Sequence, residues 1–164
     1  MEVSKKALQS NAKIVRGLLK PETKLMAVVK SNAYGHGLVE TARIFSHSDI
    51  NSPLSKTPNT DWLGVDNINE GILLRENGVK APILVMGFTQ PERFLEAVKH
   101  GLRVTIYNSN FWPLSIVPKL LAHLKIDTGM SRQGVTLADL PKFLKAMPPG
   151  LPIEGIYTHF ANAD

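Results

Sequence analysis

Apolar and polar positions along this chain alternate between a helical and a strand-like period. From Ser4 to about Leu19, the apolar residues Leu8, Ile14, Val15 and Leu18 recur at roughly helical spacing. That predicts a first helix, capped by Ser4 and stopped by Pro21. Lys24 to Val29 is the first strand. Leu38 to Phe45 predicts a second helix with Leu38, Thr41, Ala42 and Phe45 on one face. Ser46 to Thr60 is polar, carries Pro53 and Pro58, and has the make-up of a mobile loop. Trp62 to Val65 is a second strand, and Asn67 to Glu76 a helix with Gly78 as its stop. Ile83 to Met86 comes next as a third strand, and Pro91 to His100 as a helix with Pro91 early and Gly101 at its end. Arg103 to Tyr107 and His123 to Asp127 are the fourth and fifth strands. Thr136 to Met147 predicts a last helix, capped by Thr136 and with Pro141 in its first turns as a mild argument against it, before a sixth strand over Ile153 to His159.

Strands that alternate with helices at intervals of about 20 to 35 residues imply βαβ units and a parallel sheet. The weak point is the Asn108 to Ala122 connection, which is close to the minimum for a parallel crossover and is broken by Pro113 and Pro118. Alternation alone does not separate an open doubly wound sheet from a barrel, and no GxGxxG follows the first strand.

Composition narrows the function classes. With 164 residues, 43% apolar and 20% charged, the chain suits one ordinary globular domain. It has no cysteine, which removes disulfides, thiolate nucleophiles and cysteine-based metal sites together. Neither an apolar leader after Met1 nor a stretch of membrane-spanning length is present, so a cytoplasmic location with no membrane partner is expected. The net charge of +5 is spread singly among acids, as in Lys80, Glu92, Arg93, Glu96 and Lys99. There is no dense basic run, so nucleic acid is not the expected partner.

Candidate chemistry lies where strands end. Ala27-Val28-Val29-Lys30-Ser31-Asn32-Ala33-Tyr34-Gly35-His36-Gly37 runs three apolar residues into a lysine and then into a small, glycine-punctuated turn. A partly desolvated lysine there can act as an amine nucleophile toward a carbonyl, whereas an ordinary one is only the first solvated residue of a loop. Tyr34 shares a face with Lys30 if a helix begins here, and tips the loop otherwise. In His123-Leu124-Lys125-Ile126-Asp127-Thr128-Gly129-Met130-Ser131-Arg132, alternation puts His123, Lys125 and Asp127 on one face. Charges so placed are costly to bury unless Lys125 and Asp127 satisfy each other or serve a site. Gly155-Ile156-Tyr157-Thr158-His159-Phe160-Ala161 ends the last strand in a histidine, a residue more often structural than catalytic at such a position.

These three stretches, in this order, resemble the alanine racemases. The first is similar to that family's pyridoxal phosphate (PLP) attachment signature, the second to its Lys-Ile-Asp-Thr-Gly-Met-x-Arg motif, and the third to a shared Thr-His-Phe-Ala strand end. The resemblance implies an α/β fold of the (β/α)8 TIM-type barrel, incomplete here with about six of eight strands. Residues 1–164 would be the N-terminal part of the PLP-binding barrel, with the C-terminal β-domain absent.

By the same resemblance, Lys30 would hold PLP covalently and act as the catalytic base on one face of the substrate, and Tyr34 would hydrogen-bond the phosphate. Arg132 would contact the cofactor's phenolic oxygen and the substrate carboxylate, which its planar fork suits. Met130 would line the substrate site, and Lys125, often carbamylated in the family, would orient Arg132. His159 would sit near the pyridine ring in a supporting role. His36 reads as a loop residue, and Ile83-Leu84-Val85-Met86-Gly87 matches a strand lining the cofactor pocket. No metal is implied.

The expected reaction is interconversion of L- and D-alanine, supplying D-alanine for peptidoglycan, by a homodimer when full length. The family's second base is a tyrosine from the partner subunit's C-terminal domain, and nothing in this chain matches it. The last two strands lie beyond Asp164, so the chain alone is expected to racemise poorly. The alternatives are a non-catalytic PLP-binding barrel of cofactor homeostasis, against which the intact Lys125 to Arg132 motif argues, and a degenerate interaction module.

Overall fold

A computed structural model describes residues 2–46, 60–108, 117 and 119–162. The chain divides into two compact units, Met1–Gly87 and Phe88–Asp164.

In the first unit, Ser4 caps α1 (Lys5–Gly17) by accepting from the Ala7 amide at 3.3 Å. The helix packs against α3 (Leu38–Ser46), but the residue it buries is Ala12, and Ile14, Val15 and Leu18 lie exposed. The face predicted from the larger apolar residues is therefore not the packed one. At the end of α1 the Arg16 guanidinium binds the Asp61 carboxylate and donates to the Thr23 carbonyl at 2.6 Å. The Leu25 amide donates to the same carboxylate at 2.7 Å, which ties the helix to the starts of two strands.

Those strands are β1 (Met26–Val28) and β2 (Trp62–Val65); with β3 (Ile83–Val85) they form a parallel set in the order β1-β2-β3. Leu63, Val65, Ile83, Leu84 and Val85 are buried, as short continuous apolar runs of parallel strands should be. α3 buries Leu38, Thr41 and Ala42, the expected face. α4 (Ile68–Glu76) starts after Asn67, whose side chain accepts from the Glu70 amide at 3.1 Å. The predicted loop from Ser46 to Thr60 falls, except for its two ends, outside the described residues.

In the second unit the predicted helix over Pro91 to His100 is a 3-10 turn, Pro91–Arg93, leading into α5 (Phe94–Lys99). Its parallel strands are β4 (Leu102–Ile106), β5 (Leu121–Asp127), β6 (Val135–Thr136) and β7 (Ile153–Tyr157), and β5 pairs with each of the other three. The Asn108 to Ala122 connection lies largely outside the described residues.

One expectation fails in this unit. Thr136 does not cap the last helix, because Val135 and Thr136 form an additional strand, β6, beside Ile126 and Asp127. α6 begins at Leu140, with Asp139 before it, and runs to Ala146. Thr136 instead exchanges hydrogen bonds with Asp139, donating to its carboxylate at 2.6 Å and accepting from its amide at 3.1 Å. With this start Pro141 lies in the first turn, where a missing amide hydrogen costs nothing, so it does not argue against the helix.

β6 can join β5 because Gly134 (φ 137°) lies directly on the backbone of its neighbour. A Cβ there would come within 2.5 Å of the Asp127 nitrogen and 2.7 Å of the Ile126 carbonyl carbon. Gly134→Ala should therefore cost about 2–3 kcal/mol in a denaturant titration. Gly150→Ala, at φ 84° with nothing within 4 Å, should cost about 1 kcal/mol. Equal losses would contradict the close approach.

Candidate active site

Strand alternation decides where Lys30 points. β1 and β2 pair Met26 with Trp62 and Val28 with Gly64, so the next residues on that face are Lys30 and Asp66. Val29, between them, is fully buried on the other face, and its amide donates to the Gly64 carbonyl at 2.8 Å. The Lys30 side chain is 29% exposed, and its ammonium lies 3.8 Å from an Asp66 carboxylate oxygen. It is a partly sheltered amine at a strand end, not a solvated loop lysine.

The backbone after Lys30 is unusual. The element α2 (Lys30–Tyr34) turns left-handed after its first residue: Ser31, Asn32, Ala33 and Tyr34 have φ between 51° and 56°. For L-residues that conformation costs about 1–2 kcal/mol each, so neighbouring bonds must hold it. The Ala33 amide donates to the Val29 carbonyl at 2.8 Å, and the Asn32 carbonyl accepts from the Gly35 and Gly37 amides at 3.1 and 3.0 Å. The Asn32 side chain accepts from the Leu38 amide at 2.9 Å. From outside the segment, the Glu70 carboxylate accepts from the Ser31 amide at 2.7 Å, and its second oxygen accepts from the Asp66 amide at 2.8 Å. The turn leaves Tyr34 64% exposed. Neither a continuing helix nor an irregular loop describes it. His36 sits in the turn after it, its ring nitrogen 2.8 Å from the Ala33 carbonyl oxygen.

In the second unit the inward residues of β5 are as alternation predicts. Lys125 is 4% exposed, and its ammonium lies over the Tyr157 ring, 5.9 Å from the centroid. The Tyr157 hydroxyl lies 2.9 Å from the Thr105 hydroxyl on β4. Burial pushes the Tyr157 phenol up, with the Thr105 hydrogen bond opposing. Asp127 does not act mainly as the partner of Lys125: one carboxylate oxygen accepts from the Gly129 and Ser131 amides at 2.9 and 3.0 Å. Those amides, Ser131 foremost, hold its carboxyl below the usual range. They also wind the loop that presents Met130, half-buried, and Arg132, exposed. At the end of β7, Thr158 donates to the Ile126 carbonyl at 2.9 Å and lies 2.7 Å from the Thr128 hydroxyl, fastening the two strand ends together. His159 comes next and is exposed.

A bulge supplies one cluster that alternation does not predict. Ala122 pairs with Ile153 and His123 with Gly155, so Glu154 is an extra residue on β7. Its carboxylate meets two Arg103 nitrogens at 2.9 and 3.1 Å and the His123 ring at 3.2 Å. Gly155 makes room, since a Cβ there would come within 2.8 Å of that ring.

The sequence matches the family described as alanine racemase, N-terminal domain, over residues 3–164. The chain belongs to that family. It is 36% identical to alanine racemase 1 of Oceanobacillus iheyensis, covering 100% of this chain and 43% of that protein. It is 38% identical to the serine/alanine racemase of Enterococcus gallinarum, covering 99% of this chain and 22% of that one. Among solved structures, alanine racemase from Bacillus anthracis with bound L-Ala-P has a TM-score of 0.80 and 30% identity, covering 96% of this chain and 40% of that one. Alanine racemase from Clostridium difficile 630 in complex with cycloserine has a TM-score of 0.74 and 30% identity, covering 95% and 42%. The fold is accordingly α/β with parallel strands, an incomplete (β/α)8 barrel. The chain spans less than half the length of these relatives.

Within the first unit the structure brings together Lys30, Asp66 and Glu70, of which sequence reasoning named only Lys30. The Asn67-x-x-Glu70 spacing signals a helix start, but not that the acid bonds out to another strand end. Within the second unit it brings Lys125 to Tyr157, and Asp127 to the loop before Arg132. No helix among the described residues is long and apolar enough to cross a membrane.

Glu154 gives a pH test. The Arg103 guanidinium, opposed by partial burial and assisted by His123, holds the Glu154 carboxyl below its ordinary range. A depressed folded pKa stabilises above the unfolded value, and that stabilisation is lost as pH falls through the folded one. Glu154→Gln should lower the melting temperature by about 2–4 °C at pH 7, and the gap should close as pH falls well below the ordinary glutamate range. A gap that persists or widens in acid would contradict this.

Proposed function

We propose that this chain is the N-terminal, PLP-binding part of an enzyme that interconverts L- and D-alanine, with a C-terminal β-domain outside these 164 residues. The observation that carries the reading is Lys30: a sheltered amine delivered by β1 on the family's attachment motif, at the head of a strained and heavily bonded turn.

The donor set fits PLP. By residue type, an amine that can condense with an aldehyde and a phenol (Tyr34) in the first unit suit the aldehyde and the phosphate of such a group; in the second unit a guanidinium (Arg132) and an imidazole (His159) are of the types that suit its phenolic oxygen and ring. When bound, PLP supplies an electron sink that acidifies the α-hydrogen of an amino acid. Lys30 would hold the cofactor and would be the base that takes or returns the α-proton on one face. Arg132 would bind the alanine carboxylate as well as the phenolic oxygen, and Met130 would line the substrate site. Tyr34 would donate to the phosphate. His159 would support the ring, and Lys125 would orient Arg132. In this reading the full-length enzyme is a cytoplasmic homodimer serving peptidoglycan synthesis. Racemisation needs an acid–base group on each face, and only Lys30 is assigned here, so the chain alone turns alanine over slowly.

Incubation with PLP, borohydride reduction and peptide mapping should place a label at Lys30, and Lys30→Ala should reduce labelling at least about tenfold. Labelling spread evenly over the surface lysines would overturn the assignment. A D-alanine assay on the same chain should give at most about a thousandth of the turnover of a complete racemase; near-complete turnover would refute the single-base reading.

A further inference from the structure

We propose that Glu70 is a positioning residue that locks the left-handed turn behind Lys30. The inference builds on the reading of Lys30 as the cofactor lysine.

The bonds that Val29, Asn32, Ala33, Gly35, Gly37 and Leu38 make with one another are internal to the segment and move with it. The Ser31 amide, the first after Lys30, is instead fixed from another element, by Glu70 on α4 at 2.7 Å. The second Glu70 oxygen takes the Asp66 amide at 2.8 Å, at the end of β2, and Asp66 in turn faces the Lys30 ammonium at 3.8 Å. One carboxylate thus spans the ends of two adjacent strands and fixes both the backbone behind Lys30 and the acid opposite it. The geometry dictates the residue type. Two amide donors need two acceptor oxygens on one short side chain, which a carboxylate has and a carboxamide lacks. Asn67 holds the first turn of α4 in place by capping the Glu70 amide at 3.1 Å.

The test compares the parent chain with Glu70→Ala, Glu70→Gln and, as a control for helix stability, Ser4→Ala. The readouts are the backbone chemical shifts and HN–Hα couplings of Ser31 to Tyr34, amide exchange at Ser31 and Asp66, and borohydride trapping of PLP at Lys30. In Glu70→Ala the left-handed signature should disappear and both amides should exchange at least about tenfold faster. Trapping at Lys30 should fall by about tenfold. Glu70→Gln should keep protection at one amide and lose it at the other. Ser4→Ala, which removes the α1 cap in the same unit, should lower the melting temperature while leaving the shifts and the trapping unchanged.

A retained left-handed signature with unchanged exchange in Glu70→Ala would overturn the proposal. Unchanged trapping in a chain whose turn has been lost would also overturn it. If the parent chain does not trap PLP at Lys30 but Glu70→Ala still unwinds the turn, the lock stands and the cofactor assignment fails.

Discussion

Four consecutive L-residues in the left-handed region, immediately after Lys30, are the constraint on which the placement of that lysine depends. Such a turn does not persist on its own, because every residue in it crowds its Cβ against its own backbone. Here it is over-determined. Asn32 contributes both its carbonyl and its side chain, the paired glycines donate back to it, and a carboxylate from another helix closes the turn from outside. The consequence is positional: the chain leaves the strand, reverses its hand within one residue, and holds the Lys30 side chain at the end of a rigid face.

The second unit reaches a comparable end by other means. There the loop after β5 is wound on Asp127, whose carboxylate collects the Gly129 and Ser131 amides and so sets where Met130 and Arg132 begin. Lys125 is buried against an aromatic face, where a charge is costly unless it is partnered. Parallel strands suit both arrangements: their ends collect on one edge, where loops can carry function on a rigid support. Membership of the alanine racemase N-terminal domain family accords with this division of strands for support and strand ends for chemistry.

Much of the scaffold is legible in the residues. Trp62 to Val65 is a buried apolar run fenced by Asp61 and Asp66, and its strand has those same bounds. Ser4, Asn67 and Gly78 mark helix ends by side-chain or backbone chemistry that needs no tertiary partner. Lys30 is legible as a candidate because strand alternation and the family motif agree. Features that depend on contact are not. Ser31, Ala33 and Tyr34 carry no local signal for a left-handed turn, and the bond that closes it from outside comes from Glu70, on another helix. β6 is two residues long and exists because Gly134 can touch the β5 backbone, so the residues alone point to a helix starting at Thr136. Glu154 reaches Arg103 and His123 only through a bulge, which breaks the period of two that alternation assumes. The buried face of α1 escapes the pattern because packing against α3 covers a small residue, Ala12, rather than the bulkier Ile14 and Leu18.

If the strained turn presents Lys30 to a carbonyl cofactor, a crystal of the chain grown with PLP will show the two joined. Continuous density from the Lys30 side chain into the cofactor, with Ser31 to Tyr34 still left-handed, is the predicted result. Cofactor bound elsewhere, or a right-handed helix running through Ser31 to Tyr34 with Lys30 unmodified, would contradict it.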